Sequence, residues 1–187
     1  MGQRIIIQGF GGQGIKSAGD LLLTTLFKQG ARVQGMPIFE PVQMGGLVTY
    51  FVAMDSDGDR VVPTRDRDVL ILTHRQLYVA ENAASVRPGG LLLVNAPAVP
   101  PSLARDNCRV ATVDAESIAR SEGLARANVS NISTVMLGAL ASTVSWIDLT
   151  VLEAVIRTEF PRSIPENLRA LRAGYDQVDV AEPVATA

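Results

Sequence analysis

Cysteine and histidine occur once each in the 187 residues, as Cys108 and His74. A four-iron four-sulfur cluster takes four cysteine ligands and a structural zinc site four cysteine or histidine ligands, so this chain's own residues assemble neither. A lone cysteine also leaves no internal disulfide, which suits a reducing compartment. Charge of one sign is never gathered: 17 Lys plus Arg stand against 19 Asp plus Glu, spread along the chain, and no segment offers the electropositive stripe that a nucleic-acid backbone needs. Long hydrophobic runs are missing too. Ile5-Ile6-Ile7 stops at Gln8, too soon for a secretion signal, and no apolar run approaches the roughly 18 residues of a membrane span. The expectations are no nucleic acid, no membrane span and a cytoplasmic location.

Hydrophobic residues make up 47% of the chain and charged residues 19%, the balance of a soluble globular protein. At this length folding removes roughly 70% of the surface of the unfolded chain, enough for one ordinary core. No internal repeat or linker divides the sequence, and residues 1–187 are expected to form a single domain.

Residues 4–8 read as a short buried strand, and 15–29 as a helix closed by Gly30. Strands are expected at 32–36, ended by Pro37, and at 47–54, followed by an Asp55-Ser56-Asp57-Gly58-Asp59 turn. The apolar run 68–73 has the character of a parallel strand covered on both faces. It is followed by a helix over 75–86 ended at Pro88-Gly89-Gly90, then strands at 91–95 and 109–113. After Asp114 the pattern turns helical, at 115–122, 131–146, 148–159 and 165–178, and 181–187 reads as a frayed tail. Ser133 to Trp146 is small or apolar nearly all round and must be covered on every side, by its own domain or partly by another subunit. The fold class is α/β: Rossmann-like, a mostly parallel sheet with helices on both faces and a helical C-terminal third.

Between the first strand and first helix, Gly9-Phe10-Gly11-Gly12-Gln13-Gly14 satisfies GxGxxG, the context in which glycines and free helix N–H groups hold a dinucleotide pyrophosphate. The acidic residue that would hold the ribose hydroxyls is missing, since the end of the second strand reads Val33-Gln34-Gly35-Met36. Two other readings stand beside nucleotide binding. The glycines let strand and helix pack closely, or the side-chain-poor loop is a platform for another subunit, with a ligand phosphate held between them.

The stretch GFGGQGIKSAGDLL, with Ala18-Gly19 in the helix, resembles the opening of the γ subunit, or fused γ domain, of the 2-oxoacid:ferredoxin oxidoreductases. The resemblance continues through Phe39-Glu40-Pro41 and Gly45-Gly46-Leu47, through Asn131 followed by Met136-Leu137-Gly138-Ala139, and through Asn167 with Gly174-Tyr175. One departure stands out. Where the family often carries Arg before the Gly-Gly pair this chain has Met44, which removes a bidentate charged donor and points toward an aryl or otherwise apolar 2-oxoacid.

The resemblance implies a complex that converts a 2-oxoacid and coenzyme A into an acyl-CoA and carbon dioxide and passes electrons to ferredoxin or a similar acceptor. The substrate types of such enzymes are pyruvate, ketoisovalerate, 2-oxoglutarate, indolepyruvate or an aryl glyoxylate. Thiamine diphosphate, Mg2+ and the 4Fe–4S clusters would lie in partner chains of the α, β and δ types, and this chain would carry no cofactor. Consistently, Asp57-Gly58-Asp59 is the wrong order for a thiamine-diphosphate GDG and no Asn-Asn follows it. Gly9, Gly11, Gly12, Gln13 and Gly14 are the candidate ligand or subunit contacts, and Phe39, Glu40, Met44, Gly45, Gly46 and Asn131 the candidate interface residues, near the active site and the CoA entrance. No metal ligand and no catalytic residue is expected in this chain. His74, at a predicted strand end, is either a functional contact or structural, Cys108 reads as a small buried hydrophobe, and the helix dipole accounts for Asp114 and Glu116. The alternatives are a free-standing Rossmann-type NAD(P) or flavin oxidoreductase and a sensor module without redox chemistry.

Overall fold

A computed structural model describes residues 2–41, 45–55, 66–104, 107–126 and 129–181. β1 (Gln3–Phe10) runs into α1 (Ile15–Lys28), which returns the chain to β2 (Val33–Phe39), and β3 (Leu47–Met54) then inserts antiparallel between β2 and β1. Next come β4 (Arg67–Leu72), a single-turn α2 (Ala80–Ala84), β5 (Val86–Asn95), β6 (Arg109–Val113) and α3 (Ala115–Ser121). A small hairpin of β7 (Ala125–Arg126) and β8 (Val129–Ser130) precedes α4 (Ser133–Thr143), α5 (Leu149–Glu159), α6 (Ile164–Gln177) and β9 (Asp179–Ala181). The main sheet has the order β2-β3-β1-β4-β5-β6-β9. Its middle, from β1 through β4 and β5 to β6, is parallel, and the flanking pairings are antiparallel. The expected α/β class holds, with antiparallel margins that a strand-by-strand reading did not distinguish.

Alternation along the strands divides the core between the two faces. Ile5, Ile7, Val69, Ile71, Leu91 and Leu93 point to the side covered by α1 and the C-terminal helices. Ile6, Leu70, Leu72, Leu92 and Val94 point to a thinner layer that includes Ala83 of α2, Leu103 and Cys108. α4 is the helix that reads as apolar all round, and ten of its eleven residues are buried within this chain, against the sheet and against α6, α1 and α3. No second subunit is needed to cover it. α4 and α6 approach until a Cβ built on Gly138 would lie 1.9 Å from the Leu171 carbonyl oxygen and one on Gly174 2.1 Å from that of Val135. Beside this crossing the buried Asn167 amide donates to the Ser163 carbonyl and hydroxyl, both at 2.9 Å, and accepts from Thr134 at 3.3 Å.

Several expected boundaries move. Pro37 does not end its strand. Glu40 N–H bonds to the Leu47 carbonyl and Asp55 N–H to that of Arg32, so the even-numbered residues of β2 face β3 and the nitrogen of Pro37 faces outward from the sheet edge, where a missing donor costs nothing. The helix expected over 75–86 is instead a 3-10 turn (Arg75–Leu77) and the short α2. Pro88-Gly89-Gly90 lies inside β5, as an irregularity where the register jumps from Arg67 opposite Val86 to Val69 opposite Leu91. Val144 is already extended, so the helix expected to reach Trp146 stops at Thr143. At the C-terminus Ala181 pairs with Val110 in β9, which sequence patterning did not reveal, while 182–187 and residues 56–59 of the expected turn lie outside the described residues.

Candidate functional site

The carboxyl ends of β1, β4, β5 and β6 form one edge of the sheet, and the chain leaves β1 toward β2 on one side and leaves β4 toward β5 on the other, so the crevice between β1 and β4 is the topological switch point. The glycine loop sits over it. Each of the three glycines of GxGxxG is matched there to a neighbour from this same chain. A Cβ on Gly9 would fall 2.0 Å from Thr73 Oγ1 at the end of β4. Gly11 donates its N–H to the Gly46 carbonyl at 3.0 Å, and the Gly45 backbone lies 3.5 Å from where a Cβ on Gly11 would stand. Gly14 has the left-handed φ of 82° and would meet Asn131 Oδ1 at 2.4 Å. The space that a pyrophosphate would use against the second glycine is taken by Gly45 and Gly46.

Gln13 completes the closure. Its Oε1 accepts from the Phe10 N–H and lies 2.9 Å from Thr73 Oγ1, and its Nε2 is 3.4 Å from the Thr73 carbonyl. Thr73 also reaches Gln8: its N–H donates to the Gln8 carbonyl at 3.0 Å and its hydroxyl lies 3.1 Å from the same oxygen. Asn95, at the end of β5, donates to the Thr73 carbonyl at 3.0 Å and accepts from the Ala115 N–H at 2.9 Å, while its carbonyl accepts from the Tyr78 hydroxyl. Burial pushes the Tyr78 phenol well above its ordinary range, with Glu116 adding to the effect, so it remains a donor at neutral pH. A continuous polar chain therefore links the glycine loop to three strand ends and the first turn of α3.

The charged and aromatic groups nearby are occupied in the same way. Lys16 turns onto Asp20 at 2.5 Å, and Asp20 accepts from the Tyr50 hydroxyl at 2.7 Å. Burial, reinforced by that hydrogen bond, drives the Tyr50 phenol upward. His74 lies at the expected edge. Its ring meets that of Phe10 edge-on at 4.8 Å and its Nδ1 accepts from the Gln76 N–H at 3.3 Å. Asn131 Oδ1 accepts from the Ser133 hydroxyl at 2.7 Å and faces Gly14.

The fold thus brings Gly9 to Gly14 together with Gly45, Gly46 and Asn131. Phe39, 56% exposed, and Glu40 stand at the end of β2, where Glu40 N–H bonds to the Leu47 carbonyl of β3, and Met44 lies outside the described residues. Sequence reasoning missed Thr73, Asn95 and Ser133. A cue existed for the first two, because each is the polar residue that closes an apolar buried run, at the carboxyl end where ligand crevices form.

A single cysteine cannot supply the four ligands of an iron–sulfur cluster. Cys108 is 1% exposed in the core, and among the described residues no three His, Cys, Asp or Glu side chains converge as metal ligands. Among them, too, no helix is long and apolar enough to cross a membrane.

Comparison with known proteins gives a consistent set of relatives. A family model described as "Pyruvate ferredoxin/flavodoxin oxidoreductase" matches residues 4–177. The chain is 29% identical over 181 residues to the pyruvate/ketoisovalerate oxidoreductases common subunit gamma of Pyrococcus furiosus, covering 93% of this chain and 96% of that one. It is 32% identical over 178 residues to ketoisovalerate oxidoreductase subunit VorA of Methanothermobacter marburgensis, and spans about a third of that relative, 36% of its length. The crystal structure of pyruvate oxidoreductase subunit PORC from Thermotoga maritima superposes with a TM-score of 0.81 at 28% identity, over 97% of this chain and 99% of that one. A 2-oxoglutarate:ferredoxin oxidoreductase from Magnetococcus marinus shares the fold, with a TM-score of 0.78 at 22% identity, over 100% of this chain and 33% of that one.

Proposed function

Because the chain belongs to the pyruvate ferredoxin/flavodoxin oxidoreductase family, we propose that it is the γ subunit of a multi-subunit, CoA-dependent 2-oxoacid oxidoreductase of the cytoplasm and that its whole length acts as one γ-type domain. In the proposed reaction the bond between the carboxylate and the oxo carbon of a 2-oxoacid breaks, carbon dioxide leaves, the CoA thiol releases its proton and its sulfur bonds to the acyl carbon, and two electrons pass through iron–sulfur clusters to ferredoxin or a similar acceptor. Thiamine diphosphate, Mg2+ and the clusters belong to the partner subunits. This chain binds and orients: the glycine loop, Glu40 and the Gly45-Gly46 turn meet the neighbouring subunit and border the entrance used by CoA.

The observation that carries this reading is the closure of the glycine loop by Thr73, Gly45, Gly46 and Asn131. A loop whose N–H groups at Phe10, Gly11 and Gln13 are already bonded inside the chain is a rigid platform and a poor pyrophosphate cradle. The free-standing NAD(P) or flavin enzyme is accordingly not favoured. Co-expression tests the proposal. The chain alone is expected to be colourless and inactive, and together with thiamine- and cluster-bearing subunits to give a brown complex that reduces ferredoxin or a dye only when both a 2-oxoacid and CoA are supplied. Turnover by the isolated chain, or failure to associate with such subunits, contradicts it.

A further inference from the structure

We propose that Thr73, flanked by Gln13 and Asn95, is a positioning residue for the CoA entrance, holding the glycine loop at a fixed height over the strand ends so that its outer surface is set before any ligand or subunit arrives. The proposal rests on the γ-subunit reading and adds to it the residues that shape the site from behind.

Thr73 is 2% exposed and meets the loop through two hydrogen bonds with Gln13. Its hydroxyl lies between Gln13 Oε1 and the Gln8 carbonyl, at 2.9 and 3.1 Å, and its own carbonyl receives the Gln13 and Asn95 amides. Gly9 is the counterpart of this arrangement, because any Cβ there would displace Thr73 Oγ1. The hydroxyl is not needed to satisfy its acceptors: the Gln8 carbonyl keeps the Thr73 N–H at 3.0 Å and Gln13 Oε1 keeps the Phe10 N–H at 2.9 Å. Removing it therefore orphans no buried group, while a methyl placed against Gln13 Oε1 pushes that amide and the loop it carries outward. On the γ-subunit reading the loop would border bound CoA away from the reacting atoms, so its displacement weakens CoA capture and leaves the chemical step alone.

The test uses the complete complex. Thr73→Val is expected to raise the KM for CoA about fivefold, the loss of one ordinary hydrogen bond, with kcat preserved, and Thr73→Ser to restore it. Asn95→Asp keeps the acceptor for Ala115 N–H and sets a carboxylate against the Thr73 carbonyl, so the same shift in KM is expected. Thr25→Val is the control. That hydroxyl is fully buried but bonds only within α1, to the Leu21 carbonyl, so its replacement alters a buried polar site remote from the loop without moving KM. Should Thr73→Val fail to fold, Gln13→Glu replaces it, since it retains the bond to Phe10 N–H and loses the donor to Thr73. An unchanged KM in these variants, or a fall in kcat and melting temperature together that Thr25→Val reproduces, overturns the positioning role while the wild-type complex still turns over. A wild-type complex without CoA-dependent turnover removes the γ-subunit reading and this proposal with it.

Discussion

Glycine brings parts of this molecule close together in two regions, by different means. Where α4 crosses α6, Gly138 and Gly174 face backbone carbonyls, whose position is fixed by the helices that carry them. In the glycine loop, Gly9 and Gly14 face the side chains of Thr73 and Asn131, each of which can be trimmed or exchanged. The crossing is therefore architectural and intolerant, whereas the loop is adjustable by paired substitutions. That difference suits a surface that must fit a partner without endangering the fold.

The largest effect should fall on the crossing. Gly138→Ala gains about 1 kcal/mol of helix propensity but loses about 3 kcal/mol or more to the clash with Leu171 O, a large share of an ordinary domain's stability. Denaturant unfolding, or the loss of soluble protein, reads it out, and a neutral outcome would erase the contrast. Gly14→Ala should cost about 2 kcal/mol from its left-handed φ alone, plus the contact with Asn131. In an Asn131→Ala background the added cost should shrink toward the backbone share, as a double-mutant cycle would show, and strict additivity would mean that the two do not couple. Gly30 shares the left-handed conformation, at φ 89°, where α1 ends with Ala31 N–H on the Leu26 carbonyl and Gly30 N–H on that of Phe27, but no atom of another residue lies within 4 Å of the added carbon. Gly30→Ala should therefore cost only the backbone share, about 2 kcal/mol, close to Gly14→Ala once Asn131 is trimmed.

The smallest effect concerns Glu153 of α5, whose carboxyl is held below its ordinary value of 4.5 chiefly by its hydrogen bonds from Arg172 of α6. A depressed folded value means that this contribution is complete above that ordinary value and fades as pH falls through the depressed one. Arg172 is 61% exposed and the ion pair is screened from that side, so replacing Arg172 by Gln should flatten the acid side of the melting-temperature profile only slightly.

Much of the architecture was legible because it depends on local pattern. The run from Leu91 to Asn95, the strand over 47–54 and the helix opened at Asp148, whose carboxylate accepts from the Thr150 and Val151 N–H groups, all follow from residue type and spacing. The misplaced boundaries have a common cause. Pro37 and Pro88-Gly89-Gly90 end strands by local rule, and are tolerated because one lies on a sheet edge with its nitrogen outward and the other in a bulge. β9 could not be seen, since three residues acquire strand geometry only by pairing with β6. For the site, GxGxxG was visible and its internal role was not, because the partners of its glycines come from β4, the β2–β3 loop and the start of α4, all distant in sequence. The resemblance to the γ subunits supplied the reading that the motif alone left open.

Titration calorimetry of the purified chain with NADH, and separately with NADPH, addresses the closed loop most directly. No binding heat at micromolar concentrations is the result expected of a glycine loop filled by Gln13, Thr73 and the Gly45-Gly46 turn. Stoichiometric micromolar binding of either nucleotide would contradict it.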